Sequence, residues 1–179
     1  MPSNKAVILH SGGLDSTTVL AMALQQYAKE DIIALNLSYG STHNAQERAA
    51  AEQVAKHFQV QHLPLDLPDI LHGGASALTR ELRMPGRSYK ELQAQYGPSP
   101  TNVPFRNANF LSVAVTIAVT HQASEVWCGM HAEDAHNWAY PDCTPEFLGA
   151  FAAAVYVGTY HHVRLVFPII WHMKTDKEK

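Results

Sequence analysis

The sequence predicts an α/β fold: a doubly wound, five-stranded parallel sheet with helices on both faces. Short apolar runs alternate along the chain with longer segments in which apolar residues recur at helical spacing. The first run ends at a pair of glycines, where a buried strand would turn into a helix. Strands alternating with helices are joined by right-handed crossovers, which make the sheet parallel. The 179 residues are expected to form one domain, 1–179.

Five segments have the length and the apolar content of buried strands. A proline shortens the third of them, and another proline closes the fifth. The predicted strands are Ala6–Leu9, Ile32–Leu37, Val60–Leu65, Glu125–Met130 and Val163–Phe167.

Four helices are expected between these strands. The first has apolar residues at helical spacing, and the second is rich in alanine. The third is apolar on most of its sides, so we expect it to be buried. The predicted helices are Asp15–Tyr27, 44–58, Asn107–His121 and Pro145–Val157.

The segment 67–104 has many glycines and prolines and no sustained apolar period. It predicts a long loop excursion from the domain. Loops of this length without secondary structure are usually functional or disordered.

Composition excludes several classes of protein. A net charge of -3 gives no general attraction to nucleic acid or to anionic membranes, and we expect neither as a partner. The two cysteines, Cys128 and Cys143, are too few for a disulfide scaffold or a four-cysteine zinc site. No segment has the length of a signal-peptide core or of a membrane span. We therefore expect a cytoplasmic protein.

The segment Ser11–Thr17 has the features of a phosphate-binding loop. Its paired glycines allow the backbone to approach a ligand closely, and the helix that follows offers free N–H groups to an anion. The lysine of a Walker A loop and the third glycine of a dinucleotide fingerprint are both absent. The alternative is an ordinary glycine turn in which Asp15 or Ser16 caps the helix.

In a parallel sheet, ligands bind at the carboxyl ends of the strands, near the point where strand order reverses. Three loops that follow predicted strands are therefore expected to meet there: Ser11–Thr17, Ser38–His43 and His131–Cys143.

The pattern SGGxDS after a first buried strand resembles the PP-loop of the N-type ATP pyrophosphatases. Further segments resemble the 7-cyano-7-deazaguanine synthases of that superfamily, in the same order and over essentially the whole chain. They are Tyr39–His43, Ala77–Arg80, Val103–Asn107, Tyr140–Cys143 followed by Glu146-Phe147, and Pro168–Trp171 with Lys174.

This resemblance implies an adenine nucleotide alpha hydrolase-like fold and the ATP-dependent conversion of 7-carboxy-7-deazaguanine and ammonia to a nitrile, through two adenylations. ATP and Mg²⁺ are the implied cofactors, with Asp15 helping to place the ion. The implied catalytic residues are Asp15, Ser16, Arg106 and Lys174. The implied ATP-binding residues are Leu9, His10, Ser11, Gly12, Gly13, Leu14, Asp15, Ser16 and Thr17. The implied substrate residues are His131, Glu133, Asp134, Tyr140 and Asp142, and Trp138 or Tyr140 could stack on a purine.

The chain departs from the family pattern in three places. The family's four-cysteine zinc cluster beyond the fifth strand is absent, and the sequence stops at Lys179. Phe105 stands where the family has glycine, and Ser41-Thr42 stands where it has Gln-Arg. A replacement zinc site from His131, Glu133, His136 and Cys143, near His161-His162, is a further hypothesis, and its spacing fits no established pattern.

Several functions remain open at this stage. The enzyme could complete its site in a homodimer, stop at the amide, or be a fragment with little activity. A tRNA-thiolating enzyme usually needs a catalytic pair of cysteines or an iron–sulfur site, together with an RNA-binding surface. Cys128 is predicted inside a strand and Cys143 after a turn, which does not favour a catalytic pair. Two further candidates are another adenylating enzyme, such as a glutamine-dependent amide synthetase, and a nucleotide-binding module without catalysis.

Overall fold

The computed structural model describes residues 5–67 and 102–172. Among them, five strands pair into one parallel sheet. They are β1 (Ala6–Leu9), β2 (Ile32–Ser38), β3 (Gln61–Asp66), β4 (Glu125–Trp127) and β5 (Arg164–Val166). Their order across the sheet is β3-β2-β1-β4-β5. The predicted parallel sheet is confirmed.

Four α-helices connect the strands in the described part of the chain, as predicted. They are α1 (Leu14–Ala23), α2 (Asn44–Phe58), α3 (Arg106–Thr120) and α4 (Pro145–Gly158). Short 3₁₀ turns lie at Lys29–Asp31, Ala132–Trp138 and Pro141–Cys143. No helix among the described residues is long and apolar enough to cross a membrane.

The sheet is buried on both faces, which explains its nearly continuous apolar strands. In β1, Val7 and Leu9 belong to one core and Ala6 and Ile8 to the other. Helices α3 and α4 cover the first face, and α1 and α2 cover the second. This two-sided packing is that of a doubly wound fold.

Strand order reverses between β1 and β4. The chain moves from β1 outward to β2 and β3, and then returns to the other side of β1. Ile8 of β1 pairs with Trp127 of β4, so the two strands end side by side. The cleft between their carboxyl ends is the position where such folds bind ligands.

Two predicted details of these elements are wrong. Pro64 does not shorten β3, because this strand lies at the edge of the sheet, where a missing N–H is tolerated. Helix α3 is not buried on most sides: Leu111, Ala114 and Ala118 face the core, whereas Thr116 and Val119 are exposed.

Phe105 has left-handed backbone dihedrals, with φ 58° and ψ 22°, at the residue before α3. Glycine adopts this conformation without steric cost, which is a physical reason for a glycine at this position. The Phe105 ring is exposed and forms a T-shaped pair with the Phe147 ring, with centroids 5.8 Å apart.

Two predictions fall outside the described residues. These are the structure of most of the 67–104 excursion, including Ala77–Arg80, and the placement of Lys174. The single domain 1–179 stays a prediction.

Candidate functional site

A cleft of about 280 Å³ opens at the carboxyl ends of β1, β2 and β4. The glycine loop, the loop after β2, the start of α3 and the loop after β4 contribute to it, so the three loops meet as expected. Of the residues predicted for the site, those lining the cleft are Leu9, His10, Ser11, Asp15, Ser16, Arg106 and Asp134.

The glycine loop is tied to itself by hydrogen bonds. The Ser16 hydroxyl donates to the Gly13 carbonyl at 3.1 Å and accepts the Ser11 N–H at 3.2 Å. No side-chain hydrogen bond caps α1 at Gly13, its N-cap residue. The N-cap residue is therefore Gly13 rather than Asp15 or Ser16, and a helix start of this kind is a favourable place for an anion.

Gly12 brings the loop against α2. Its φ is +81°, and a Cβ built on it would lie 2.5 Å from the Ala51 nitrogen. Only glycine fits both the backbone angle and this contact.

His10 is a buried, neutral side chain at the back of the loop. Burial lowers its pKa to about 4, with a smaller contribution from His62. The backbone carbonyl of His10 accepts a hydrogen bond from the Asn36 side chain at 3.0 Å. The His10 Nε2 lies 3.4 Å from the Thr17 hydroxyl, whereas its Nδ1 is buried without a protein partner.

Gly129, just after β4, packs directly against the beginning of α1. A Cβ at this position would lie 3.1 Å from the Asp15 carbonyl. The absence of a side chain at Gly129 thus allows the loops after β1 and β4 to approach each other at the switch point.

Arg106 contributes a positive charge to the cleft. Its guanidinium donates a hydrogen bond to the Tyr39 hydroxyl at 3.3 Å and lies over the rings of Tyr39 and Phe110. Burial lowers its pKa, but interactions with Tyr39, Asp142 and Cys143 outweigh this and raise the pKa above its ordinary value. Arg106 therefore stays positively charged and packs against two aromatic rings.

Asp142 does not line the cleft. Its carboxylate is buried and accepts the backbone N–H of Asn107 at 2.9 Å. This contact satisfies one of the first amides of α3, whose own N-cap residue, Phe105, supplies no side-chain cap. The geometry gives Asp142 a structural partner, and its role toward substrate stays a prediction.

The two thiols, Cys128 and Cys143, line the same cleft. Cys128 follows β4 rather than lying inside it. Burial raises the pKa of both Cys128 and Cys143 to about 12. Both thiols are therefore protonated at neutral pH. The Cys143 sulfur accepts a hydrogen bond from the side-chain amide of Asn107.

The other predicted residues have varied positions. Gly12, Gly13, Leu14 and Thr17 belong to the loop but do not line the cleft. His131 is fully buried beneath it, Tyr140 is half-buried, and Glu133 and Trp138 are exposed.

Within residues 5–67 and 102–172, no three His, Cys, Asp or Glu side chains are grouped to hold a metal. The replacement zinc set of His131, Glu133, His136 and Cys143 is therefore not assembled.

Several residues that line the cleft were not predicted as site residues. Asn36 had a detectable signal, because an amide within an apolar strand needs a polar partner. Other lining residues, such as Met130 and Phe110, look like ordinary core residues, and the sequence gave no signal that they belong to the site. The missed lining residues include Asn36, Tyr39, Glu47, Asn107, Phe110, Gly129 and Met130.

Comparison with known proteins gives a family match over nearly the whole chain. The family described as "Queuosine biosynthesis protein QueC" matches residues 5–179. A 7-cyano-7-deazaguanine synthase from Methanospirillum hungatei is 40% identical over 156 residues, covering 87% of this chain and 68% of that protein. One from Methanoculleus marisnigri is 38% identical over 175 residues, covering 96% and 76%.

A solved structure shares the fold at low sequence identity. It is the U34-tRNA thiolase NcsA from Methanococcus maripaludis with its [4Fe-4S] cluster, with a TM-score of 0.61 and 14% identity. The match covers 99% of this chain and 56% of that one. At this identity the likeness shows only that the two chains share a fold.

Proposed function

Because this chain belongs to the QueC family of queuosine biosynthesis proteins, we propose that it converts 7-carboxy-7-deazaguanine to 7-cyano-7-deazaguanine with ATP and ammonia. The proposed reaction consumes two ATP molecules. The substrate carboxylate displaces pyrophosphate from the first, and ammonia then displaces AMP to give an amide. The amide oxygen displaces pyrophosphate from the second ATP and leaves with AMP as the nitrile forms.

One observation carries this proposal: an uncapped helix start and a fixed guanidinium face the same cleft. The amino end of α1 presents the positive end of a helix dipole, and Arg106 adds a full charge. A triphosphate is the kind of ligand that both features attract.

The protein's own contribution would be positioning and charge stabilisation. The glycine loop, whose Ser11 and Ser16 line the cleft, would hold the outer phosphates, and Arg106 would stabilise the charge that develops as pyrophosphate leaves. Asp15 lines the cleft, and a carboxylate is the usual protein ligand of Mg²⁺, so this residue fits the predicted ion. Bound Mg²⁺ would neutralise phosphate charge.

Sulfur transfer to tRNA is the main rival function. The presence of both thiols in the cleft favours it, but their protonation opposes it, because the thiolate is the nucleophile.

Four further expectations stay predictions. They are a cytoplasmic location, a homodimer, small-molecule substrates rather than nucleic acid, and a final product at the amide stage.

The direct test is to incubate the chain with 7-carboxy-7-deazaguanine, ATP, Mg²⁺ and ammonium, and to identify the products by mass spectrometry. We expect the nitrile and two AMP for each nitrile. Cys143→Ser should retain turnover, whereas a sulfur-transfer enzyme would lose it. Unchanged acid without ATP cleavage would contradict the proposal, and accumulation of the amide alone would support the product-limited variant.

Arg106 variants test the carrying observation. Arg106→Gln removes the charge and should lower the rate of pyrophosphate release about 10²-fold, the usual effect of losing one group that stabilises developing charge. Arg106→Lys is the matched control. It keeps the positive charge but not the planar guanidinium group, and its rate of pyrophosphate release should fall less. Equal rates for Arg106→Gln and the unaltered protein would contradict this role.

A further inference from the structure

His131 joins two parts of the chain beneath the cleft. Its Nδ1 lies 2.9 Å from the backbone carbonyl oxygen of His172. Its Nε2 lies 3.6 Å from a carboxylate oxygen of Asp15. The His131 side chain is fully buried, and its Nε2 has no hydrogen-bond partner.

The contact with His172 determines where the ring proton lies. A carbonyl oxygen can only accept, so Nδ1 must carry the proton and donate it. In the neutral ring, Nε2 is then an acceptor. It faces the Asp15 carboxylate, which is also an acceptor, at 3.6 Å, which is longer than a normal hydrogen bond.

We propose that Asp15 Oδ2 and His131 Nε2 share a divalent transition-metal ion at the base of the cleft. Tetrahedral ligands at about 2.0–2.2 Å from zinc are separated by about 3.4 Å, close to the distance here. A histidine ligand typically donates its other ring N–H to a carbonyl, as His131 does to His172.

The ligand set indicates which ion binds. Mg²⁺ takes oxygen ligands almost exclusively, whereas an imidazole nitrogen favours first-row transition ions such as Zn²⁺, Mn²⁺ or Co²⁺. This inference rests on the proposed function and deepens it: the ion at Asp15 gains a nitrogen ligand from His131, which favours a transition-metal ion over Mg²⁺ at that carboxylate.

Asp15 connects the proposed site to the cleft. The Asp15 side chain is 34% exposed and lines the cleft, whereas His131 is enclosed behind it. Since the described residues supply no third His, Cys, Asp or Glu ligand, water and phosphate oxygens complete the shell. Metal affinity should thus increase when a nucleotide is bound.

Electron spin echo spectroscopy of bound Mn²⁺ detects the imidazole nitrogen directly. The protein is loaded with Mn²⁺ and the non-cleaved analogue α,β-methylene-ATP. We expect a nitrogen modulation that changes when the protein is labelled with [¹⁵N]histidine. This measurement on the unaltered chain does not depend on how any variant folds.

His131→Gln should remove this modulation and weaken Co²⁺ binding at least tenfold, measured by the visible spectrum of the ion. His136→Gln is the matched control, because this exposed histidine lies in the same loop. Bound Mn²⁺ without histidine coupling would overturn the proposal, as would equal Co²⁺ affinity in His131→Gln and the unaltered chain. Neither readout requires nitrile formation, so failure here is distinguishable from failure of the proposed function.

Discussion

At the scale of single residues, two glycines of this chain are expected to respond in opposite directions to the same replacement. Gly12→Ala places a methyl group at φ +81° and 2.5 Å from the α2 backbone, and should cost about 1–3 kcal/mol of unfolding free energy. Gly149 lies in α4 with open space around its Cα, so Gly149→Ala should gain about 0.5–1 kcal/mol. Urea unfolding measures both. A Gly12→Ala protein as stable as the unaltered one would show that the loop does not pack on α2 in this way.

His10 predicts a specific loss of stability in acid. Its pKa is about 4 in the folded chain, against the ordinary value of 6.5 for an exposed histidine, so the folded protein holds it neutral. The stability from this difference is fully present above pH 6.5 and is lost as the pH falls toward 4. The loss is at most about 3 kcal/mol.

The measurement is the free energy of unfolding between pH 7 and pH 4. His10→Gln should flatten the decline, because glutamine does not titrate. The exposed His57→Gln on α2 is the control and should keep the slope of the unaltered protein. The same slope in all three proteins would show that His10 is not buried as a neutral ring.

At the scale of elements, Asp142 links the loop after β4 to the start of α3. Asp142→Ala removes the acceptor for the Asn107 N–H and should lower the free energy of unfolding by about 1–2 kcal/mol. Asp142→Asn retains an acceptor oxygen and should lose much less. If Asp142→Ala abolished turnover with unchanged urea unfolding, the carboxylate would act on substrate and not as a cap.

The order of strands and helices was predictable because apolar runs and helical periods are local signals. The residues at which the helices and strands end were harder to predict. Helix α1 stops at Ala23 rather than near Tyr27, whose hydroxyl instead bonds Glu125 at 2.6 Å. Strand β4 stops at Trp127, just before the chain turns toward the glycine loop through Gly129. Both ends depend on partners distant in sequence.

In the candidate site, too, features that are local in sequence were predictable, and contacts between distant segments were not. The loop Ser11–Thr17 was recognisable because its glycines and hydroxyls are adjacent in sequence. The pairing of His131 with Asp15, and of Asp142 with Asn107, was not predicted, because each pair joins distant segments. The resemblance implied substrate contacts for His131 and Asp142; both side chains are buried and neither lines the cleft, and their roles toward substrate stay predictions.

At the scale of the whole molecule, the two ends of the sheet have different roles. At the amino end of β4, the Glu125 carboxylate accepts hydrogen bonds from Tyr27, Trp127 and Arg164. These contacts tie the segment after α1 to β4 and β5, away from the cleft. The carboxyl end holds the glycine loop and Arg106, so the hydrogen bonds of Glu125 lie at the opposite end of the strands from the proposed chemistry.

The central claim is that this chain adenylates a carboxylate at the cleft, and an oxygen label tests it most directly. The substrate is 7-carboxy-7-deazaguanine with ¹⁸O in both carboxylate oxygens, and the AMP formed is analysed by mass spectrometry. Each activation transfers one substrate oxygen to AMP, so we predict two singly labelled AMP molecules for each nitrile. Unlabelled AMP, or cleavage of ATP to ADP and phosphate, would contradict the account.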